Sequence, residues 1–328
     1  MWALSDPMTT PFTLAHLSDL HLGPLPPFTV RHWNLKRALG YLNWQRGRRH
    51  VHTRHVADLL TTDLAGQRAD HVAVTGDLVN IALPGEYEAA LAWLEGLGLP
   101  RDVSVVPGNH DIYTRLGRDP GPGRWAGYMR GDAGDGVSPR PVAFPYVRRR
   151  GPIALVGLNS AVPTPPFVAA GLVGVAQRIR LAALLDALGR ERLFRVVLIH
   201  HPPLAGQAPP LRALRDAADL ERVLSAHGAE LVLHGHNHRD MLSWRHGPGG
   251  RFPVLGIASG SAARPHRDEP LARYNLIDVS RLGGGWRVEV RVRGLAVVGG
   301  PVVELSRTVL SEAGSAAGVQ DAGTARRL

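Results

Sequence analysis

Apolar residues in this chain fall into short runs that end abruptly in polar loops, and most runs are followed by a longer stretch with helical spacing. The run at 12–17 leads straight into Ser18-Asp19-Leu20-His21-Leu22-Gly23. The run at 71–75 ends in Gly76-Asp77, and the run at 103–106 in Pro107-Gly108-Asn109-His110-Asp111. Further runs lead from 153–158 into Asn159-Ser160, from 196–199 into His200-His201-Pro202-Pro203, and from 231–233 into His234-Gly235-His236-Asn237-His238. Runs this short, bounded by turn residues, predict strands. Residues 30–60, 85–96, 176–188 and 211–227 carry apolar side chains at spacings that predict helices. The last third offers three more strand-like runs, 254–258, 274–279 and 286–292. Residues 112–151, rich in Gly, Pro and Arg, predict a long loop or cap, and 311–328, small and polar, a disordered tail. No internal repeat is visible. Strand, polar loop and helix in alternation predict an α/β fold, here a single domain over 10–310, with ligands gathered at the C-terminal ends of strands.

Composition changes this picture in two respects. The chain has no cysteine, which excludes disulfides and thiolate ligands, so any metal site must use His, Asp, Asn or Glu. The formal charge is +10, and all but Lys36 of the 38 basic residues are arginine. That bias reflects either a GC-rich genome or attraction to phosphates, anionic lipid or nucleic acid. Residues 1–10 lack the charged and apolar regions of a signal peptide, and no apolar run approaches the ~20 residues of a membrane span. Absence of cysteine fits the cytoplasm, which is the expected location, with the inner face of the membrane as an alternative.

The polar residues at the strand ends carry the candidate chemistry. Taken singly, a histidine there is most often a satisfied structural residue, and Gly-Asp is most often a turn. Their repetition after one apolar strand after another is what the structural reading leaves unexplained. In HGHNH, an extended backbone sets His236 and His238 on one side, and Gly235 lets another group approach closely. By the same alternation His16 and His234 read as structural. His201 reads equally as core or substrate contact, and Asn80 as a turn residue with substrate contact as the alternative.

Five motifs occur in order: DLH at 19–21, GD at 76–77, GNHD at 108–111, HHP at 200–202 and GHNH at 235–238. This series resembles the calcineurin-like metallophosphoesterases, and among them the bacterial members grouped with cyclic-nucleotide phosphodiesterases. The resemblance implies a four-layer α/β/β/α sandwich with a two-metal site. Asp19, His21 and His238 would hold one ion, Asn109, His200 and His236 the other, and Asp77 would bridge them. Two divalent ions about 3.5–4 Å apart clamp a phosphoryl group and lower the pKa of a bridging water, giving hydroxide near neutral pH. Imidazole and carboxylate suit Mn, Fe, Zn, Co or Ni without choosing among them. The resemblance gives His110 the role of stabilising the transition state or protonating the leaving oxygen. Asp111 either orients that imidazole or caps a following turn.

The implied activity is that of a metal-dependent phosphoric ester hydrolase, a phosphodiesterase with cyclic nucleotides among its candidate substrates. The alternative is a pyrophosphohydrolase of a nucleotide-linked lipid, as in enzymes acting on UDP-diacylglucosamine. A non-catalytic scaffold on the same fold is a third reading, but Asp19, His21, Asp77, Asn109, His110, His200, His236 and His238 are all retained. Between Arg31 and Ala57 the chain has seven Lys/Arg and no acid, together with Trp33, Tyr41 and Trp44. This insert, 28–60, reads as a solvated cover, as a lid on anionic membrane through 31–55, or as a contact to a nucleic-acid backbone. Arg148-Arg149-Arg150 is expected near the mouth of the site. The oligomeric state is left open.

Overall fold

Strands that are apolar on both faces need cover on both sides, and this chain provides it with two six-stranded sheets whose inner faces pack together. The structure is a computed structural model and describes residues 10–27, 29–132 and 142–311. The first sheet has the order β12-β11-β10-β1-β2-β3, with β1 Phe12–Leu17, β2 His71–Val74, β3 Val103–Val105, β10 Arg273–Leu282, β11 Gly285–Leu295 and β12 Val302–Ser311. The second has the order β4-β5-β6-β7-β9-β8, with β4 Tyr146–Arg150, β5 Ile153–Gly157, β6 Phe194–Leu198, β7 Leu231–His234, β8 Met241–Gly247 and β9 Gly250–Gly256. β1, β2 and β3 run parallel, as do β5, β6, β7 and β9.

Side-chain alternation divides the second sheet between two cores. Leu155, Phe194, Val196, Leu198, Leu231 and Leu233 face the first sheet, joining Leu14, Ile277, Val290 and Val292. Ala154, Val156, Val197 and Val232 face outward, under helices α5 Val175–Arg190 and α6 Ala217–His227 through Leu181, Leu185, Leu220 and Leu224. Helices α3 Arg54–Gln67 and α4 Pro84–Leu97 belong to the core of the first sheet, through Val56, Leu60, Leu64, Tyr87, Trp93 and Leu94. The result is a four-layer α/β/β/α sandwich.

Several elements depart from the sequence expectation. The stretch 112–151 is not wholly loop: Gly121–Met129 forms a 3-10 run around the buried Trp125, and Tyr146–Arg150 is an edge strand pairing antiparallel with β5. β8 and β12 were also unanticipated. All three are edge strands that are only partly buried and carry Arg, Ser or Glu among their apolar residues, which hides a period of two. The helix expected over 211–227 begins only at Ala217. The insert is not one helix but α1 Leu35–Asn43, a π-helical turn Trp44–Arg48 and the short α2 Arg49–Val51. Residues 54–67 belong to the core helix α3, capped at its start by Thr53. Residues 312–328, where the tail was expected, lie outside the described residues.

Candidate metal centre

Parallel strands in both sheets bring their C-terminal ends to one edge of the sandwich, and the motif loops leave from those ends. The loops after β1 and β2 are zipped together by backbone bonds from Asp19 N to Gly76 O, His21 N to Asp77 O and Leu22 N to Leu78 O. Five of the ten non-glycine residues with left-handed backbone among those described are Asp19, His21, Asp77, His236 and His238. Strained backbone concentrated at one site is a functional signature. Gly235 is required by close approach: a Cβ there would overlap Ser18 Oγ and Asp19 Oδ2.

Each of four histidines is held by one ring nitrogen so that the other faces inward. His21 Nδ1 donates to Val79 O at 3.2 Å, His238 Nδ1 to Glu269 Oε2 at 3.0 Å, His200 Nδ1 to Thr75 O at 2.7 Å, and His236 Nε2 to Arg212 O at 2.8 Å. Carbonyl and carboxylate acceptors fix these tautomers and leave lone pairs on the remaining nitrogens. Those lone pairs meet in two couples: His21 Nε2 and His238 Nε2 are 3.2 Å apart, as are His200 Nε2 and His236 Nδ1. Asn109 Oδ1 lies 3.1 Å from His200 Nε2, and Asp19 Oδ1, buried and without a hydrogen bond, lies 3.3 Å from His238 Nε2. Asp77 Oδ2 stands between the couples, 3.9 Å from His21 Nε2 and 3.4 Å from His200 Nε2. Two ligands at about 2.1 Å from one ion stand ~3.0–3.4 Å apart for angles between 90° and tetrahedral. The donor set therefore fits divalent cations, and facing lone pairs at this spacing call for a positive charge between them.

Electrostatics point the same way. Burial works against a charged His200, yet Asp77 raises its pKa to about 9. Burial likewise opposes charge on His238, which Asp19 and Glu269 raise to about 9. The two carboxylates thus draw a cation, whether proton or metal, to the inner nitrogens.

His110 and Asp111 divide their tasks. Asp111 is fully buried, and its carboxylate accepts from Asp77 N, Leu78 N, Val79 N and Gly108 N at 2.8–3.2 Å. It caps the turn and makes no hydrogen bond to the imidazole of His110 among the described residues, so it supports the loop that carries Asp77 rather than orienting His110. Burial and the neighbouring Asp77 push its carboxyl up to about 7. His110 donates its backbone N to Asp77 Oδ1 at 2.7 Å and its Nδ1 to the carbonyl of Asn80. Nε2 is then an acceptor, and Arg48 Nη1 sits 3.0 Å from it. Burial first, and Arg48 second, lower the His110 pKa to about 3.

A cleft of about 240 Å³ opens over this edge, lined by Arg48, His52, Asp77, His110, Arg212 and Glu269 among others. Arg48 has no carboxylate within 4 Å among the described residues. Lys36 reaches Thr164 Oγ1 at 2.7 Å and Arg37 reaches Ala82 O at 2.6 Å. The insert therefore turns three of its basic side chains inward instead of presenting them all to solvent or a membrane. No helix among the described residues is long and apolar enough to cross a membrane. Arg148-Arg149-Arg150 lies away from the cleft, because β4 runs antiparallel and places these residues beside the start of β5. There the buried Arg148 donates to Arg130 O, Pro100 O, Val103 O and Gly127 O. His201 bonds to Ser160 Oγ and Ala169 O, and His16 and His234 lie buried behind the motif loops. Sequence reasoning missed Glu269, Arg48, Arg212 and His52 as individual residues. Only the basic insert gave a signal for two of them.

Comparison with known proteins bears on the fold and the family. A "Probable cyclic nucleotide phosphodiesterase" of Synechococcus sp. is 24% identical over 292 residues, covering 87% of this chain and 93% of that protein. The crystal structure of a dimetal phosphatase from Danio rerio superposes with a TM-score of 0.60 at 15% identity, covering 90% of this chain and 98% of that one. A purple acid phosphatase from yellow lupin superposes at 0.52 and 12% identity, where the match spans 87% of this chain and 52% of that longer one. The calcineurin-like phosphoesterase family model matches residues 12–240, and the chain belongs to that family of phosphoester hydrolases.

Proposed function

We propose that this hydrolase is a dinuclear-metal phosphodiesterase in which Asp19, His21 and His238 hold one divalent ion, Asn109, His200 and His236 the other, and Asp77 serves both. The observation that carries this reading is the pair of lone-pair couples, each 3.2 Å across, on either side of the Asp77 carboxylate. Mn, Fe, Zn, Co or Ni bound there would polarise a phosphoryl oxygen and lower the pKa of water. The chain's own contribution is positioning. Asp111 and the Gly108 amide fix the turn that carries Asp77, and Gly235 lets Asp19 meet the His236 amide at 2.9 Å. Arg48 and Arg212 offer guanidinium N–H groups to the phosphoryl oxygens, the planar fork being suited to them. With Nδ1–H held by Asn80, His110 offers a lone pair at Nε2, so its first task is to aim Arg48 rather than to protonate a leaving oxygen.

The substrate is read as a small phosphodiester, with a cyclic nucleotide as the leading candidate. The Synechococcus relative supports that class, and a cleft of about 240 Å³ favours a small ligand. Residues 10–310 are read as one catalytic domain, because the core between the sheets draws on strands from Phe12 to Ser311. The test is to load the protein with Mn²⁺, count ions per chain, and compare kcat/KM for bis(p-nitrophenyl) phosphate, p-nitrophenyl phosphate and cAMP. Two ions per chain and a diester preference of about tenfold or more are expected. A monoester preference, or undiminished activity in Asp77→Ala, would overturn the reading.

A further inference from the structure

The insert ends in a histidine that none of the motifs contains. His52 comes directly after α2, is 6% exposed, and is pinned by an antiparallel bridge to Ala262 and by Thr53 N to Ser261 O at 3.0 Å. Its ring stands edge-on to His21 at 4.8 Å and to His238 at 5.2 Å between centroids. One ring nitrogen of each of His21, His52 and His238 lies within 4.8 Å of the others.

The hydrogen bonds of His52 all run through one ring nitrogen. Its Nδ1 lies 3.1 Å from Ser259 Oγ and 3.0 Å from Ser261 Oγ. Ser259 spends its hydroxyl proton on Asp19 O at 2.6 Å, so toward His52 it accepts. A proton on Nδ1 donates to Ser259 and leaves a lone pair on Nε2, which makes no hydrogen bond among the described residues. This is the arrangement found at His21 and His238, an outer nitrogen held by an acceptor and an inner one left bare. His52 also lines the cleft, beside His238 and Glu269.

We propose that His52 is a further ligand of the ion held by Asp19, His21 and His238, an inference that rests on the dinuclear reading above. With one ring nitrogen of each of the three histidines within 4.8 Å of the others, an ion held by His21 and His238 would come within reach of His52. The acceptor serine bonds to the backbone of Asp19 itself, tying the new ligand to an old one. The insert is then more than a cover: metal binding fastens it to the sheet edge and holds Arg48, four residues earlier, over the cleft.

The experiment uses Co²⁺ as the probe on the full chain. In the Co²⁺-loaded protein, each coordinated histidine contributes one strongly shifted, exchangeable N–H proton resonance from its outer nitrogen. Five such resonances are expected, from His21, His52, His200, His236 and His238, and His52→Gln should lose one. By chelator competition, His52→Gln and His52→Ala should bind one of the two ions ~10–100-fold more weakly. His50→Ala, at an exposed position of the preceding short helix α2, should bind both ions like the wild type. Two bound Co²⁺ with four shifted resonances in the wild type, or unchanged affinity in both His52 variants, overturns the role of His52 and leaves the dinuclear reading standing. Uptake of fewer than two ions by the wild type overturns both. The resonance count is made on the wild type, so it decides even where His52→Ala fails to fold.

Discussion

Arg48→Met separates a substrate-facing cation from a structural one. The Arg48 guanidinium hydrogen-bonds the His110 imidazole, at 3.0 and 3.2 Å, and no carboxylate lies within 4 Å of it among the described residues. Removing the guanidinium thus orphans no anion, and methionine fills much of the same volume. Folding stability should change by less than about 1 kcal/mol, since a partly buried cation without a counter-ion contributes little. Substrate binding is different. A charge-assisted hydrogen bond to a phosphoryl oxygen contributes ~1.5–3 kcal/mol, which converts to a loss of roughly 10- to 150-fold in kcat/KM. Negative charge on the non-bridging oxygens grows toward the transition state, so kcat should fall along with any rise in KM.

Steady-state kinetics on bis(p-nitrophenyl) phosphate, with a thermal melt of the same preparation, read both quantities. Arg48→Lys should recover part of the loss, because a point charge remains while the planar fork is gone. A kcat/KM within about threefold of wild type in Arg48→Met, at unchanged metal content, would refute the assignment and leave Arg48 as packing for the insert.

Arg148→Met should act in the opposite sense. It strips donors from the carbonyls of Arg130, Pro100, Val103 and Gly127, costing on the order of 2–4 kcal/mol in denaturant titrations, while kcat/KM of the folded fraction stays unchanged. A loss of activity with stability intact would return Arg148 to the mouth of the site. Glu269→Gln weakens the acceptor behind His238 Nδ1 and should lower affinity for one ion by about tenfold in chelator competition; equal affinity would show that Glu269 does not hold that tautomer. Lys36 has its pKa lowered by burial to about 8, below the 10.5 of an unfolded lysine. Between those values the unfolded chain binds more protons than the folded one, so this group's contribution to stability rises with pH across the window. Wild type should gain on Lys36→Met between pH 8 and 10 in denaturant midpoints, and parallel profiles would contradict the shift.

How much could be read from sequence depended on how local each signal was. Asp19 and His21, Asp77, Asn109 and His110, His200, and His236 and His238 each lie within a few residues of the strand that delivers them, so an apolar run and a polar loop suffice to find them. Glu269 has no such neighbour. It sits between β9 and β10, and its meeting with His238 is a product of the fold alone. Arg48 and His52 were visible as members of a basic insert, but their direction was not. That direction depends on Gly40, where a Cβ would overlap the Tyr113 hydroxyl, and on the π-helical turn Trp44–Arg48, whose extra residue rotates the backbone beyond it. Edge strands β4, β8 and β12 escaped because arginines on an exposed strand face resemble a solvated loop.

The backbone at His236 and His238 departs from the extended alternation expected of it. Extended alternation sets residues i and i+2 on one side, which alone would send both imidazoles to one point. The structure instead gives both residues left-handed backbone, with φ of 71° and 53°. They leave the loop in different directions: His236 turns Nδ1 toward His200, and His238 turns Nε2 toward His21. The same kink occurs at Asp19 and His21, with φ of 55° and 42°. Each such residue costs ~1–3 kcal/mol, and Asp and His are among the side chains that tolerate it best. Residue type therefore serves twice in these loops, once as the donor and once as the means by which a short loop can bend enough to aim it. A substitution that kept a donor atom but disliked the left-handed region would misplace it. This is a physical reason for the motifs to use aspartate and histidine beyond their affinity for a cation.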